Sequence, residues 1–162
     1  MRPNIRGGMG HTASATIEVA APIATVLDVA LTVDDMERWF PLPIQAVDPP
    51  EFGRLHVGDS CVAESVLAGR RLRTRIEVLE ADETAYKLAA TGPVCFTVTA
   101  GLTATSGGCV IAASVEARSG GGLTGRVLEG ACRPLLGAGL RQALERLSRL
   151  AEARRPVPAS KS

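Results

Sequence analysis

Ser65, Thr74 and Tyr86 are the side chains in this sequence whose types and spacing suit the inside of an apolar pocket. Their hydroxyls donate and accept hydrogen bonds without carrying charge, so they fit polarisation of a carbonyl or enol better than full proton transfer. A general acid–base pair is missing from the same surface. His56 and Asp59 are close in sequence but fall in a loop, His11 belongs to the N-terminal segment, and Glu64 lies opposite Arg73 in the hairpin described below. A second group, Arg126, Glu129 and Arg133, recurs at helical spacing. On a solvated face these charges form an ion-pair ladder. Turned inward, Arg133 becomes the electrophilic or carboxylate-binding group of the interior, so Tyr86 and Arg133 are the candidate catalytic residues.

The elements that position these residues are legible from periodicity. Residues 12–19 alternate, with Ala13, Ala15, Ile17 and Val19 on one side, as in a half-buried strand. Pro22 suits the first position of a helix carrying Val26, Leu27 and Ala30. Thr32 or Asp34 is placed to cap a second short helix with Met36 and Trp39, ended by Pro41 and Pro43. A short strand at residues 44–47 and a Pro-rich loop up to Gly58 precede a run of hairpins. A two-residue turn at Ala68-Gly69 sets Ser65 opposite Leu72, Ala63 opposite Thr74 and Cys61 opposite Ile76. The other face then pairs Glu64 with Arg73, and Val62 and Val66 with Arg75 and Arg71. A Thr91-Gly92-Pro93 loop pairs Leu88 with Phe96 and Tyr86 with Val98. A turn near Ser106-Gly107-Gly108 brings Val98, Ala100 and Leu102 to Ile111, Ala113 and Val115.

The segment from Gly121 to Arg155 reads as a long helix whose apolar stripe changes face. Leu140, Leu144, Leu147 and Ala151 define one stripe, whose backward extension meets Arg133, Glu129 and Arg126. Val127, Leu128, Ala131 and Leu135 sit roughly opposite. Either one continuous helix points three charges at the core, or it bends near Arg133-Pro134. Burying unpaired charge is expensive, which favours the bend.

Composition narrows the function classes. A net charge of +1 with 22% charged and 3% aromatic residues gives neither a broad field for nucleic acid nor many rings for base stacking. No run approaches the ~18 apolar residues of a membrane helix, and Met1 to Gly10 is polar and Gly-rich, so a cytoplasmic protein without membrane insertion is expected. Cys61, Cys95, Cys109 and Cys132 are scattered, with no Cys-x-x-Cys pair and no His at zinc-ligand spacing. Buried free thiols, no metal and no cofactor are the expectation. The organisation expected is a flexible N-terminus over 1–11, one domain over 12–153 and a flexible tail over 154–162.

The order strand, two short helices, antiparallel strands, long helix describes an α+β chain. A curved sheet of about six to seven strands grips the C-terminal helix, and the short helices close one end. That order resembles the START/SRPBCC superfamily, the helix-grip fold of polyketide cyclase/dehydrase-like proteins. The resemblance is carried by the first strand running into Ala20-Ala21-Pro22-Ile23-Ala24-Thr25-Val26, by Asp34-Asp35-Met36-Glu37-Arg38-Trp39-Phe40-Pro41, and by Val57-Gly58-Asp59. Arg133-Pro134-Leu135-Leu136 before Leu144, Leu147, Leu150 and Ala151 completes it.

The resemblance implies an apolar cavity between sheet and helix, with no common catalytic motif to carry over. Candidate ligand-binding residues are Trp39, Ser65, Thr74, Phe96, Val98, Ala100 and Leu135. A polyketide cyclase or dehydratase-like protein of natural-product biosynthesis is the first functional expectation. Such proteins work mainly by holding a reactive chain in a near-attack conformer. A non-catalytic carrier of a lipid or hydrophobic metabolite is the alternative, and an interaction module without a ligand the third. The partner expected is a hydrophobic small molecule, with the chain a monomer or homodimer. Burying ~300 Å² of apolar ligand contributes about 7–8 kcal/mol, much of it offset by association costs of ~4–15 kcal/mol. Oriented polar contacts are therefore required for affinity.

Overall fold

In the computed structural model, which describes residues 11–40, 44–48, 53–67 and 69–154, seven strands form one curved antiparallel sheet. The strands are β1 (His11–Val19), β2 (Ile44–Asp48), β3 (Ser60–Leu67), β4 (Arg70–Ala81), β5 (Ala85–Thr91), β6 (Val94–Thr105) and β7 (Gly108–Ser119), in the spatial order β1-β7-β6-β5-β4-β3-β2. Helices α1 (Ile23–Leu31) and α2 (Val33–Trp39) follow β1. The C-terminal segment comprises α3 (Gly122–Cys132), a 3-10 turn (Arg133–Leu135) and α4 (Leu136–Arg154). This is the helix-grip α+β architecture that the element order predicts. Residues 1–10 and 155–162, with Pro41, Pro43 and Ala68, lie outside the described residues, as do the flexible termini expected there.

Strand register follows from which face is buried, because a one-residue slip would turn every apolar side chain outward. The β3–β4 hairpin has the predicted pairing throughout, including Glu64 opposite Arg73, whose side chains meet at 3.2 Å. The β6–β7 hairpin likewise pairs Val98 with Val115, Ala100 with Ala113 and Leu102 with Ile111. The β5–β6 hairpin differs by two positions. Leu88 faces Val98 and Tyr86 faces Ala100, because the loop is centred one residue later than predicted. The faces survive, since the shift is a whole period of two.

The change of apolar face in the C-terminal segment is resolved by a break. α3 ends at Cys132, the 3-10 turn takes Arg133 to Leu135, and α4 starts afresh with Leu140, Ala143, Leu144, Leu147 and Ala151 buried. Pro134 has no N–H to continue the α-helical ladder, so the regular helix stops there although Arg133 keeps helical angles (φ −50°, ψ −52°) and still donates to Glu129 O. Arg126 and Arg133 are exposed, and Glu129 turns toward β1, where its carboxylate lies 3.3 Å from His11 Nε2. His11 is thus the first residue of β1 rather than part of a tail. At the N-terminal side of α3, Gly120 N–H donates to Pro93 O at 2.8 Å. A Cβ on Gly120 would lie 2.0 Å from Gly92 O, and one on Gly125 would lie 2.7 Å from Pro93 O, so these glycines let α3 seat directly on the β5–β6 loop.

Both ends of the sheet are pinned by side chains. Ala20 N–H, just beyond β1, donates to Glu152 of α4 at 2.9 Å, and Ala46 N–H of β2 donates to Glu37 of α2 at 2.7 Å. The C-terminal segment therefore runs in the same direction as β1, with His11 meeting Glu129 of α3 at one end and Ala20 meeting Glu152 of α4 at the other. Thr32 caps α2 only through its backbone, because its hydroxyl donates instead to Asp28 O at 2.7 Å. Arg146 donates to Phe40 O at 3.0 Å.

The strongest tie is between Asp35 and Arg154. The Asp35 carboxylate, 1% exposed, accepts from both terminal nitrogens of Arg154, one at 2.5 Å. Arg154 is therefore the locked last residue of α4, not the start of a tail. Hydrogen bonding to Asp35 raises the pKa of its guanidinium above the ordinary arginine value. Such a bidentate pair is geometrically demanding. Removing one partner strands the other as a buried charge. Arg154→Met is expected to cost about 3 kcal/mol, a fall in Tm of roughly 6–12 °C for a domain of this size. Thermal unfolding followed by circular dichroism measures it. Glu64→Gln, which breaks an exposed pair worth under about 1 kcal/mol, is the control.

Candidate functional site

The sheet's inner face carries alternate residues of each strand, and over β2 to β6 these converge on one small apolar pocket. Ala63 and Ser65 come from β3, Leu72, Thr74 and Ile76 from β4, and Val94 and Phe96 from β6. Ile44 of β2, Ala90 of β5 and Phe40 at the end of α2 complete it. Its polar lining side chains are Ser65 and Thr74. Because Ser65 opposes Leu72 and Thr74 opposes Ala63, the two hydroxyls are diagonal neighbours on one face. Neither makes a side-chain hydrogen bond with another described residue. The free space is about 20 Å³, enough for about one water molecule.

Ser65, Thr74 and Phe96 are therefore brought together, while the other expected site residues lie elsewhere. Val98 and Ala100 continue the inner face of β6 outside this lining. Arg133 and Leu135 are exposed on the 3-10 turn and face away from the interior. Tyr86 is 2% exposed on the inner face of β5, between Ala81 and Ala100, and also lies outside the lining. Ala63, Leu72 and Ile76 line the pocket too, as hairpin positions on the predicted inner face, whereas Phe40, Ile44, Ala90 and Val94 line it without being part of the sequence-derived set. Extending the alternation of Tyr86 and Leu88 by one step reaches Ala90, and extending Phe96 back by one step reaches Val94. No comparable signal marks Phe40 or Ile44.

Trp39 is buried beside the pocket, its ring 5.8 Å from that of Phe40 at a tilt of 44°. Its indole Nε1 is buried with no acceptor among the described residues. Such a donor carries a desolvation cost until an acceptor reaches it. No ionisable side chain lines the pocket. Among the described residues, no cluster of three or more His, Cys, Asp or Glu side chains is arranged to hold a metal. Cys61 and Cys109 are buried and Cys95 half-buried, and burial raises the Cys109 thiol above its ordinary value. A second hollow of about 700 Å³, beside α1 and the β4–β5 turn, is open to solvent. Of its charged groups, Arg54 pairs with Asp28 at 2.5 Å and Asp82 accepts from the Thr84 N–H at 2.8 Å.

An open seven-stranded sheet gripping a broken C-terminal helix, with two short helices at one end, defines a helix-grip protein of the START/SRPBCC superfamily. The sequence matches the family described as polyketide cyclase / dehydrase and lipid transport over residues 10–152, and the chain belongs to that family. No curated protein matches it. Among solved structures, protein CV1439 from Chromobacterium violaceum is 16% identical with a TM-score of 0.64, covering 88% of this chain and 97% of its own. NE0264 from Nitrosomonas europaea is 17% identical with a TM-score of 0.65, covering 88% and 95%. DynU16, from the dynemicin biosynthetic locus, is 18% identical with a TM-score of 0.56 over 90% of this chain, which spans 48% of DynU16. At these identities the likeness shows the fold.

Burial raises the Tyr86 phenol above its ordinary value of 10.0, so it is a hydrogen-bond donor and not a base at neutral pH. A raised folded-state value means that stability is complete below the unfolded value and declines as pH rises above it, because only the unfolded chain ionises there. Tyr86 is the chain's single tyrosine. The tyrosinate absorbance band is therefore expected to stay absent at pH 10 and to appear together with loss of the circular-dichroism signal at higher pH. A free titration at the ordinary value with the fold intact would contradict the burial.

Proposed function

We propose that this chain takes up a hydrophobic, carbonyl-bearing small molecule of polyketide type between β2–β6 and the helices, as a cyclase- or dehydratase-like protein. The observation that carries this reading is the pocket wall itself. It is apolar but for two neighbouring hydroxyls with no side-chain hydrogen-bond partner among the described residues, with a buried indole N–H one residue from the pocket. Apolar walls with a few placed donors orient a ligand through its oxygens. Folding a reactive chain into one conformer lowers its barrier without an acid or base in the site. DynU16, from a biosynthetic locus, is consistent with such a role. Candidate donors for a carbonyl or enol oxygen are Ser65, Thr74 and Trp39 Nε1, with Tyr86 deeper on the same sheet face.

The alternative is a carrier of a lipid or hydrophobic metabolite. The lack of any acid or base in the lining favours it, and the family description covers both roles. Either ligand exceeds the ~20 Å³ available, since small-molecule sites run to about 300–1,000 Å³. Uptake therefore requires Phe40, Ile44 and Phe96 to swing away from one another.

Phe40 lies in tilted contact with the single tryptophan, so this opening has an intrinsic reporter. Titration with an aromatic β-diketone or a long-chain fatty acid is expected to shift Trp39 emission saturably. Replacing both hydroxyls (Ser65→Ala with Thr74→Val) should weaken diketone binding about tenfold, the loss of one to two net hydrogen bonds, and leave fatty-acid binding unchanged. Accelerated ring closure of a poly-β-ketone, lost in the double variant, selects the cyclase reading. Binding of the fatty acid alone selects the carrier, and no emission change with either ligand would sink both.

A further inference from the structure

We propose that the outer face of α3 is a docking surface for anionic lipid bilayers. Leu123, Val127 and Leu135, at 79%, 60% and 59% exposure, are the three most exposed large hydrophobic side chains among the described residues. With exposed Ala131 they recur every four residues, which places them along one side of the helix and its 3-10 extension. Exposed Arg126 and Arg133 border one edge of that stripe. At 100° per residue, they project about 60–80° to one side of Leu123. The one acid of the helix, Glu129, is turned away and engaged with His11. The outer face is thus apolar and cationic together.

The same end of the molecule carries a second cationic element. Arg70 is exposed at the start of β4, two residues before Leu72 and on the same face of the strand. Leu72 belongs to the apolar cluster in which Leu128, on the inner side of α3, packs with Val94 and Phe96. α3 is therefore two-sided: its inner side covers residues that line the pocket, and its outer side faces solvent.

Three considerations select a bilayer as the occupant. A second copy of this chain across a two-fold axis would set Arg126 and Arg133 against a surface of the same sign. The surface is a convex helical ridge, which a bilayer accommodates without a complementary groove. Apolar side chains bordered by arginines satisfy both the acyl boundary and the phosphate layer of an anionic interface. Nothing in this depends on which molecule occupies the pocket, and vesicle binding is read without added ligand. Its failure would leave the ligand proposal standing.

The test is co-sedimentation of the full chain with vesicles of phosphatidylcholine alone and with about one-third phosphatidylglycerol. Binding is expected only to the anionic vesicles and should weaken as salt rises. Two double variants, Leu123→Ser with Val127→Ser and Arg126→Glu with Arg133→Glu, are each expected to lose about tenfold in vesicle affinity at unchanged Tm, since all four side chains are solvent-facing. Equal binding to both vesicle types, no binding to either, or variants that bind like the parent chain would each overturn the proposal. So would light scattering that shows a dimer of the parent chain dissociated by the serine variant, because a second copy would then cover the face.

Discussion

The structure turns on a problem of coverage. A sheet of seven strands has one apolar face to hide. A helix about 10–12 Å across, laid along strands ~4.8 Å apart, hides about two of them. α4 does this for β1 and β7, and is held there by Ala20–Glu152, while His11–Glu129 fastens α3 to the other end of β1. Over β2 to β6 the cover is improvised from the sheet's own curvature, the Phe40 ring at the end of α2 and Leu128 beneath α3. The pocket lies where the long helix no longer reaches.

This division explains where charge sits. The interior along the pocket has no ion, so neither acid nor base is held there against a desolvation cost. Charge is used instead at the ends, where Asp35 and Arg154 fasten α2 to the last turn of α4 across 119 positions of sequence. The break at Arg133 serves the same economy. It lets one segment bury two differently phased stripes while Arg126 and Arg133 keep their water.

Sequence alone discloses the parts governed by local periodicity. The β3–β4 register is legible because a two-residue turn, an alternating face and the Glu64–Arg73 pair agree with one another. The break in the helix is legible because two apolar stripes cannot share one phase. The β5–β6 loop slides by one residue because Gly92, pressed against Gly120, is fixed by a tertiary contact that local pattern does not contain. The same limit applies to the site. Ser65, Thr74 and Phe96 follow from alternation, whereas Phe40 and Ile44 depend on how the end of α2 folds over the sheet. Asp35 reads as one of two acids in a helical first turn, and Arg154 as part of a basic tail. Only the folded chain shows that they are partners.

An open sheet leaves two edges, and unpaired backbone donors on an edge invite a strand from another molecule to extend it. Here β2 is only five residues long and its pairing with β3 shifts between Ala46 and Asp48. The Ala46 N–H is occupied by Glu37, and beyond the opposite edge the Ala20 N–H is occupied by Glu152. The carboxylates that hold α2 and α4 to the sheet thus also cap its two margins. At those positions an incoming strand would have to displace a charged acceptor before it could pair, which guards the open sheet against edge-to-edge aggregation.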